Sequence, residues 1–199
     1  MVVDEEYKQM LWRPWNHNNW KEFSTASINE ASEYFLSTFQ IKLDTVEIDD
    51  SWDSEDREMR SDELLWEVKK EMDWIGMDKG TDNHNSDILL AFTGQDAYTP
   101  FLYGRHFGIA HDKDAATIVK IPSKPTITHW TEDIETGEND NLVQHEISHL
   151  FDAPDHYENK YCIMDKTWPS WDKPGEVFGN IWTTNEWDNE CFNIIESNK

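Results

Sequence analysis

Basic residues are scarce in this 199-residue chain: 17 Lys and Arg stand against 41 Asp and Glu, for a formal net charge of −24. A field of that sign repels phosphate backbones and anionic lipid surfaces, so nucleic-acid and membrane-surface binding are set aside. Solvation is the first reading of the acidity, ahead of a role in attracting cations or basic substrates. Long apolar runs are missing as well, and no stretch approaches the roughly 20 residues of a membrane-spanning helix. The N-terminal Met-Val-Val-Asp-Glu-Glu has neither the basic start nor the apolar run of a signal peptide. Cysteine is rare: Cys162 and Cys191 alone cannot decide the redox compartment. Hydrophobic content is only 37%, but 11 Trp, 9 Phe and 6 Tyr supply bulky core material, which argues against a disordered chain. The length fits one domain with a sizeable core.

Along the chain, residues 1–20 read as an irregular arm anchored by Trp12, Trp15 and Trp20. The spacing of Ile28, Ala31, Phe35 and Phe39 predicts a helix from Ser24 to about Gln40. Ile41 to Ile48 reads as a strand. The acidic stretch Asp49 to Glu63 lacks the glycine and ligand spacing of an EF-hand, so a Ca2+ site there has no support. Ser61 or Asp62 caps a second expected helix, which buries Leu64, Leu65, Val68 and Met72 and stops near Gly76. Ile88 to Phe92 is a continuous apolar run, as expected of a strand covered on both faces. Gly108 to His111 and Ala115 to Ile121 read as two further strands, the first at an edge. This order of helices and strands predicts an α/β layer.

The chemistry concentrates in His145-Glu146-Ile147-Ser148-His149. Two histidines four residues apart on a helix share a face, so both imidazoles can grip one metal ion. Glu146, a quarter turn away, can reach a water on that ion; this is the zinc-peptidase pattern. Chance alone produces the pattern in roughly 3% of chains of this composition, so the surrounding residues must carry the argument. Asn139, Asp140 or Asn141 can cap the helix, which is expected to run to about Phe151. Val143, Ile147, Leu150 and Phe151 form its core face, with His145, Glu146 and His149 on the other side. A catalytic zinc takes three protein ligands and leaves a position for water. Asp152 tolerates the left-handed backbone of a turn, Pro154 stops the helix, and Asp155 or His156 can return to the metal.

These residues resemble the metzincin clan of zinc endopeptidases, whose signature is H-E-x-x-H-x-x-G-x-x-H followed by a methionine turn. His145, Glu146 and His149 match it, Asp152 replaces the glycine, and Asp155 stands at the third-histidine position. An aspartate there resembles the snapalysin-like branch, and Cys162-Ile163-Met164 resembles the methionine turn. The resemblance covers roughly residues 86 to 195. It implies an α/β (α+β) zincin fold, with a twisted mixed five-stranded sheet and helices in an upper lobe, about 1–156. A small irregular lower lobe, about 157–199, carries a C-terminal helix, for which Thr183 and Glu186 offer a capping box. The edge strand near Gly108 to His111 would pair with extended substrate. A Cys162–Cys191 disulfide would pin the lower lobe, given the secreted or extracellular setting that the resemblance implies; a cytoplasmic one stays open.

The expected activity is zinc-dependent hydrolysis of peptide bonds, with one catalytic Zn2+ held by His145, His149 and Asp155, and His156 as the alternative third ligand. The resemblance favours Asp155, the tenth residue after His145, where the clan's loop returns to the metal; adjacent residues of an extended return loop point to opposite sides, so His156 would then face away. Glu146 is the expected general base. Tyr157 and Tyr161 are candidates to stabilise the oxyanion, although packing is the commoner role for such residues. Met164 fits the floor of a metal pocket by shape. His84, His106, His111 and His129 read as surface or loop histidines, and Lys166, Trp168 and Pro169 as candidate pocket-lining residues. The expected partner is a peptide or protein substrate, acted on by a monomer. A related zincin reading takes the third ligand from Glu186 or Glu190. A different class is a non-catalytic binding module with a structural or absent zinc; a closed set of His145, His149, Asp155 and His156 would mark the structural form.

Overall fold

The structure, a computed structural model, describes residues 1–10, 20–54, 59–73, 87–94, 97–99, 102–105, 108–111, 116–120, 137–156, 162–165 and 184–199. In chain order the elements are β1 (Val2–Val3), α1 (Glu5–Met10), α2 (Trp20–Phe39), β2 (Met59–Arg60), α3 (Ser61–Glu71), β3 (Leu89–Thr93), β4 (Ala97–Thr99), β5 (Leu102–Arg105), β6 (Gly108–His111), β7 (Ala116–Lys120), α4 (Gly137–His149) and α5 (Asn189–Asn198). The main sheet has the order β1-β3-β7-β6. β1, β3 and β7 run parallel, and β6 closes the edge antiparallel to β7. A smaller sheet has the order β2-β4-β5.

Side chains on β3 alternate between two cores, as the pleat requires. Leu90 and Phe92 face α2 and α4, joining Ile28, Phe35, Phe39, Val143 and Ile147 in the larger cluster. Leu89 and Ala91 face α3, where Leu64, Leu65 and Val68 meet Trp52 and Val2. Both faces of β3 are therefore covered, which is why its sequence is continuously apolar. Each large side chain so buried contributes about 1.5–3 kcal/mol. The result is a sheet between α3 on one side and the α2–α4 pair on the other.

Several sequence expectations change here. The described part of the N-terminal arm is ordered into β1 and α1, and Trp20 begins α2; Trp12 and Trp15 lie outside the described residues. Ile41 to Ile48 forms no strand. Only Asp49 reaches the sheet, through a single parallel bridge to Val2, and Val46 and Ile48 are exposed. The described residues thus supply four strands of the expected five, with one bridge at the fifth position. α3 starts at Ser61 behind Arg60, whose N–H donates to Glu63 Oε2 at 3.2 Å, rather than behind Ser61 or Asp62. Leu64, Leu65 and Val68 are buried on it, with Met72 half-buried against them, and Gly76 lies outside the described residues. α4 begins at Gly137, so Asn139, Asp140 and Asn141 fall inside its first turns and are not caps.

Asp4 joins the N-terminal segment to the sheet. It precedes α1 and accepts from Tyr7 N at 2.7 Å, the N-cap contact that satisfies an otherwise unpaired helix N–H. The same carboxylate accepts from Gly94 N at 3.2 Å, Ser54 Oγ at 3.2 Å and Thr93 Oγ1. Burial pushes its pKa up to about 6, more than these hydrogen bonds pull it down. The protonated form is favoured in the fold, so this group's stabilisation is complete below its unfolded pKa and is lost as pH rises through about 6. Asp4→Asn removes that titration. Denaturant unfolding of the two proteins at pH 4 and pH 7.5 should show the variant gaining on the parent by roughly 2–3 kcal/mol across the range. Parallel pH profiles would contradict this account of Asp4.

Candidate metal centre

α4 carries the site and is buried all round from Leu142 to Ser148. The side opposite the apolar arc is thus covered as well. His145 and Glu146 are buried with the apolar residues because other segments cover them. Trp187 Nε1 donates to Ser148 Oγ at 2.9 Å, and Gln144 Nε2 donates to Asn185 O at 2.7 Å. The Trp187 ring also lies against Phe35 and Phe39, at centroid separations of 5.0 and 4.8 Å. The segment before α5 is thereby fastened to both α4 and α2. Thr183 lies outside the described residues, and α5 is capped by Asp188, whose Oδ1 accepts from Cys191 N at 2.9 Å.

The helix ends in a Schellman turn. Ala153 N donates to Ser148 O at 3.2 Å and Asp152 N to His149 O at 2.9 Å. Asp152 takes the left-handed conformation, with φ 65°. The chain then turns back at Pro154 and delivers Asp155 to the two helix histidines. Asp155 Oδ1 lies 3.4 Å from His145 Nε2 and 3.3 Å from His149 Nε2. The three donor atoms all lie within 4.8 Å of one another. A tetrahedral zinc with bonds of about 2.0 Å to nitrogen and oxygen has ligand–ligand edges of about 3.3 Å. Both measured edges match that figure.

Each imidazole is also aimed. His145 Nδ1 lies 2.9 Å from Ile163 O, and His149 Nδ1 lies 2.7 Å from Ala153 O. A carbonyl only accepts, so each Nδ1 carries a proton and each Nε2 faces Asp155. Burial works against protonating His149, yet the hydrogen bond to Asp155 and the charges of Glu146 and Asp155 prevail, so its pKa lies above the ordinary histidine value. The site attracts positive charge, and a metal ion must displace that proton. Two imidazoles and one carboxylate leave a divalent ion with a coordination position for water.

The turn beneath α4 comes from Cys162-Ile163-Met164. Asp165 N donates to Cys162 O at 3.0 Å, closing a four-residue turn. Met164 is fully buried in the main core. Ile163 N donates to Glu186 O at 2.8 Å, and His156 N donates to Met164 O at 2.7 Å. His156 is turned away from His145 and His149: its Nε2 lies 3.0 Å from Cys191 Sγ and 3.3 Å from Asp188 Oδ2. Glu186 and Glu190 are exposed and belong to neither group.

The expected Cys162–Cys191 disulfide is corrected: both are free, buried thiols. They share a pocket with His156 and Asp188, so each sulfur has polar partners other than a covalent bond to its neighbour. The hydrogen bond from Cys191 holds Cys162 below the ordinary thiol range, at about 6, and the same contact pushes Cys191 up. Tyr157, Tyr161, Lys166, Trp168, Pro169, His84, His106 and His129 lie outside the described residues, as does the side chain of His111. Sequence reasoning missed the two carbonyls that orient the histidines, which no side-chain motif encodes. It also missed the grouping of His156 and Asp188 with the cysteines. The i, i+3 spacing of Asp188 and Cys191 at a helix start was the available signal.

Comparison with known proteins bears on this geometry. A family model described as metallo-peptidase family M12 (Reprolysin_5) matches residues 1–177. No curated protein matches the chain. Among solved structures, archaemetzincin from Methanopyrus kandleri is similar with a TM-score of 0.60 at 14% identity, covering 99% of this chain and 92% of that one. A zinc-dependent peptidase from Methanocorpusculum labreanum is similar with a TM-score of 0.58 at 18% identity, covering 98% and 97%. These two likenesses show the fold, an α/β zincin-like one.

The His145→Ala/His149→Ala double variant should lose one zinc ion per chain, measured by elemental analysis after dialysis. Asp155→Ala should weaken zinc binding at this centre more than about 100-fold in a chelator competition, beyond what loss of an outer-shell partner costs. Unchanged zinc content in the double variant would contradict the assignment of the helix histidines. Unchanged affinity in Asp155→Ala would remove Asp155 as the third ligand.

Proposed function

The chain belongs to metallo-peptidase family M12, within the metzincin clan of zinc peptidases, and we propose that it is an endopeptidase whose general base is Glu146. It is a metalloprotease, and its cofactor is zinc. The observation that carries the proposal is the grouping of His145 Nε2, His149 Nε2 and Asp155 Oδ1 within 4.8 Å of one another, with both histidine-to-Asp155 distances at the edge length of a zinc tetrahedron and Glu146 buried next to His145. An aspartate as third ligand keeps the likeness to the snapalysin-like branch.

Bound zinc would supply a Lewis acid that makes its water a better nucleophile and polarises the scissile carbonyl. The residues do the remaining work. Backbone carbonyls hold His145 and His149 with Nε2 facing Asp155, so the rings already point to where the ion would bind. Glu146 accepts a proton from the attacking water and returns it to the leaving nitrogen. Its burial on α4 keeps competing solvent away from that proton. Asp155 contributes one negative charge, which makes the water less acidic than at a three-histidine site and gives a carboxylate base more to do.

Substrate is proposed to add to β6. Among the described residues this strand lies at the edge of the main sheet and packs beside α4, so an extended peptide laid along it would pass the metal centre. The whole chain, 1–199, is then one catalytic domain, with an upper lobe of about 1–156 and a lower lobe of about 157–199. The orientation of His156 toward Cys191 and Asp188 argues against a closed four-ligand structural site at His145 and His149.

Glu146→Gln should keep the zinc and the fold yet lower kcat on a peptide substrate by about 100-fold or more, the usual weight of a positioned acid–base group. The amide has the shape of the carboxylate but cannot take the proton. Turnover equal to the parent, with zinc still bound, would remove Glu146 as the base.

A further inference from the structure

We propose that His156, Cys162, Asp188 and Cys191 form a second metal site, a closed four-ligand zinc site that braces the catalytic one. The donor atoms, one nitrogen, two sulfurs and one oxygen, all lie within 4.8 Å of one another. His156 Nε2 and Asp188 Oδ2 are 3.3 Å apart, the edge of a zinc tetrahedron with bonds of about 2.0 Å. His156 Nε2 and Cys191 Sγ are 3.0 Å apart, so that pair spreads by about half an ångström to span bonds of about 2.0 and 2.3 Å. The inference stands apart from the peptidase reading, since it uses none of the residues assigned to catalysis.

The group comes from three chain segments, each already held. His156 follows Asp155 in the return loop and is fixed by its N–H to Met164 O. Cys162 opens the turn whose next residue, Ile163, orients His145. Asp188 caps α5 through Oδ1, which leaves Oδ2 turned to His156, and Cys191 sits in the first turn of that helix. Both cysteines are fully buried and unbridged. Two thiols in one pocket with an imidazole and a carboxylate are a donor set suited to zinc, and four protein ligands leave no place for a reacting water.

Charge separates the two centres. Two thiolates and a carboxylate over-neutralise a divalent ion, which suits a structural role. Two neutral imidazoles and one carboxylate leave it positive, which suits a Lewis acid. A second ion would replace the expected disulfide as the tie between the turn and α5. It would also fix His156, and through the chain the neighbouring Asp155. Binding would release the thiol protons, and both sulfurs would become inert while the ion is held.

Sulfur makes the test selective, because the catalytic centre has none. The full chain, purified under reducing conditions, should hold two zinc ions. Exchanged into cobalt, it should show a near-ultraviolet thiolate-to-cobalt charge-transfer band. The His145→Ala/His149→Ala variant should hold one zinc and keep the band; Cys191→Ser should hold one and lose it. A thiol reagent should find both cysteines protected until a chelator is added, and two reactive groups afterwards. If Cys191→Ser fails to fold, the band in the histidine variant decides the matter alone. One zinc per chain with no charge-transfer band would overturn the proposal, as would a Cys162–Cys191 disulfide in the native protein. Loss of peptidase activity with the band intact would count against the catalytic reading and leave this one standing.

Discussion

The hydrogen bond between His145 Nδ1 and the Ile163 carbonyl is the constraint on which the rest of the site depends. It selects the tautomer of a buried imidazole and turns Nε2 toward Asp155. It also joins α4 to a turn eighteen positions later in the chain. That turn is tied in two further directions: Ile163 N reaches Glu186 O, and Met164 O receives His156 N. One short turn therefore positions the first histidine, the return loop behind Asp155 and the segment leading into α5. Shifting its backbone by an ångström would change the aim of His145 and the register of the loop together. The core burial of Met164 opposes such a shift.

The elements legible in the sequence were those whose pattern is local. α2, α3 and α4 follow from residues spaced three and four apart, and β3 from an apolar run flanked by polar loops. The misses are all tertiary. A two-residue strand such as β1 has no period to read, and it exists because Val2 and Val3 pair with Ala91 and Phe92. Asp4 locks that pairing through groups some 90 residues away. Ile41 to Ile48 has the alternation of a strand but lacks a partner edge: β1 takes the place beside β3, and only Asp49 reaches β1. Periodicity cannot say which segment wins a sheet edge.

At the site, side-chain spacing on one helix was legible, because geometry dictates that residues four apart share a face. The choice between Asp155 and His156 turned on backbone register after Asp152. The structure brings Asp155 to the helix histidines and turns His156 to Cys191 and Asp188. The cysteines show where sequence reasoning ran short. Two cysteines invite a bridge, but their neighbours in space, His156 and Asp188, are invisible until the chain folds. The same four residues then read as a ligand set. The backbone carbonyls that orient both histidines have no side-chain signature at all.

The central claim, a zinc peptidase acting on internal peptide bonds, is tested most directly by product sequencing. A mixed protein digest is incubated with the full chain alone, with a chelator, and with the chelator followed by excess zinc. The account predicts new termini at internal positions of the substrates, absent with the chelator and restored by zinc. Cleavage that persists in the chelator, or no new termini in the zinc-loaded protein, would contradict it.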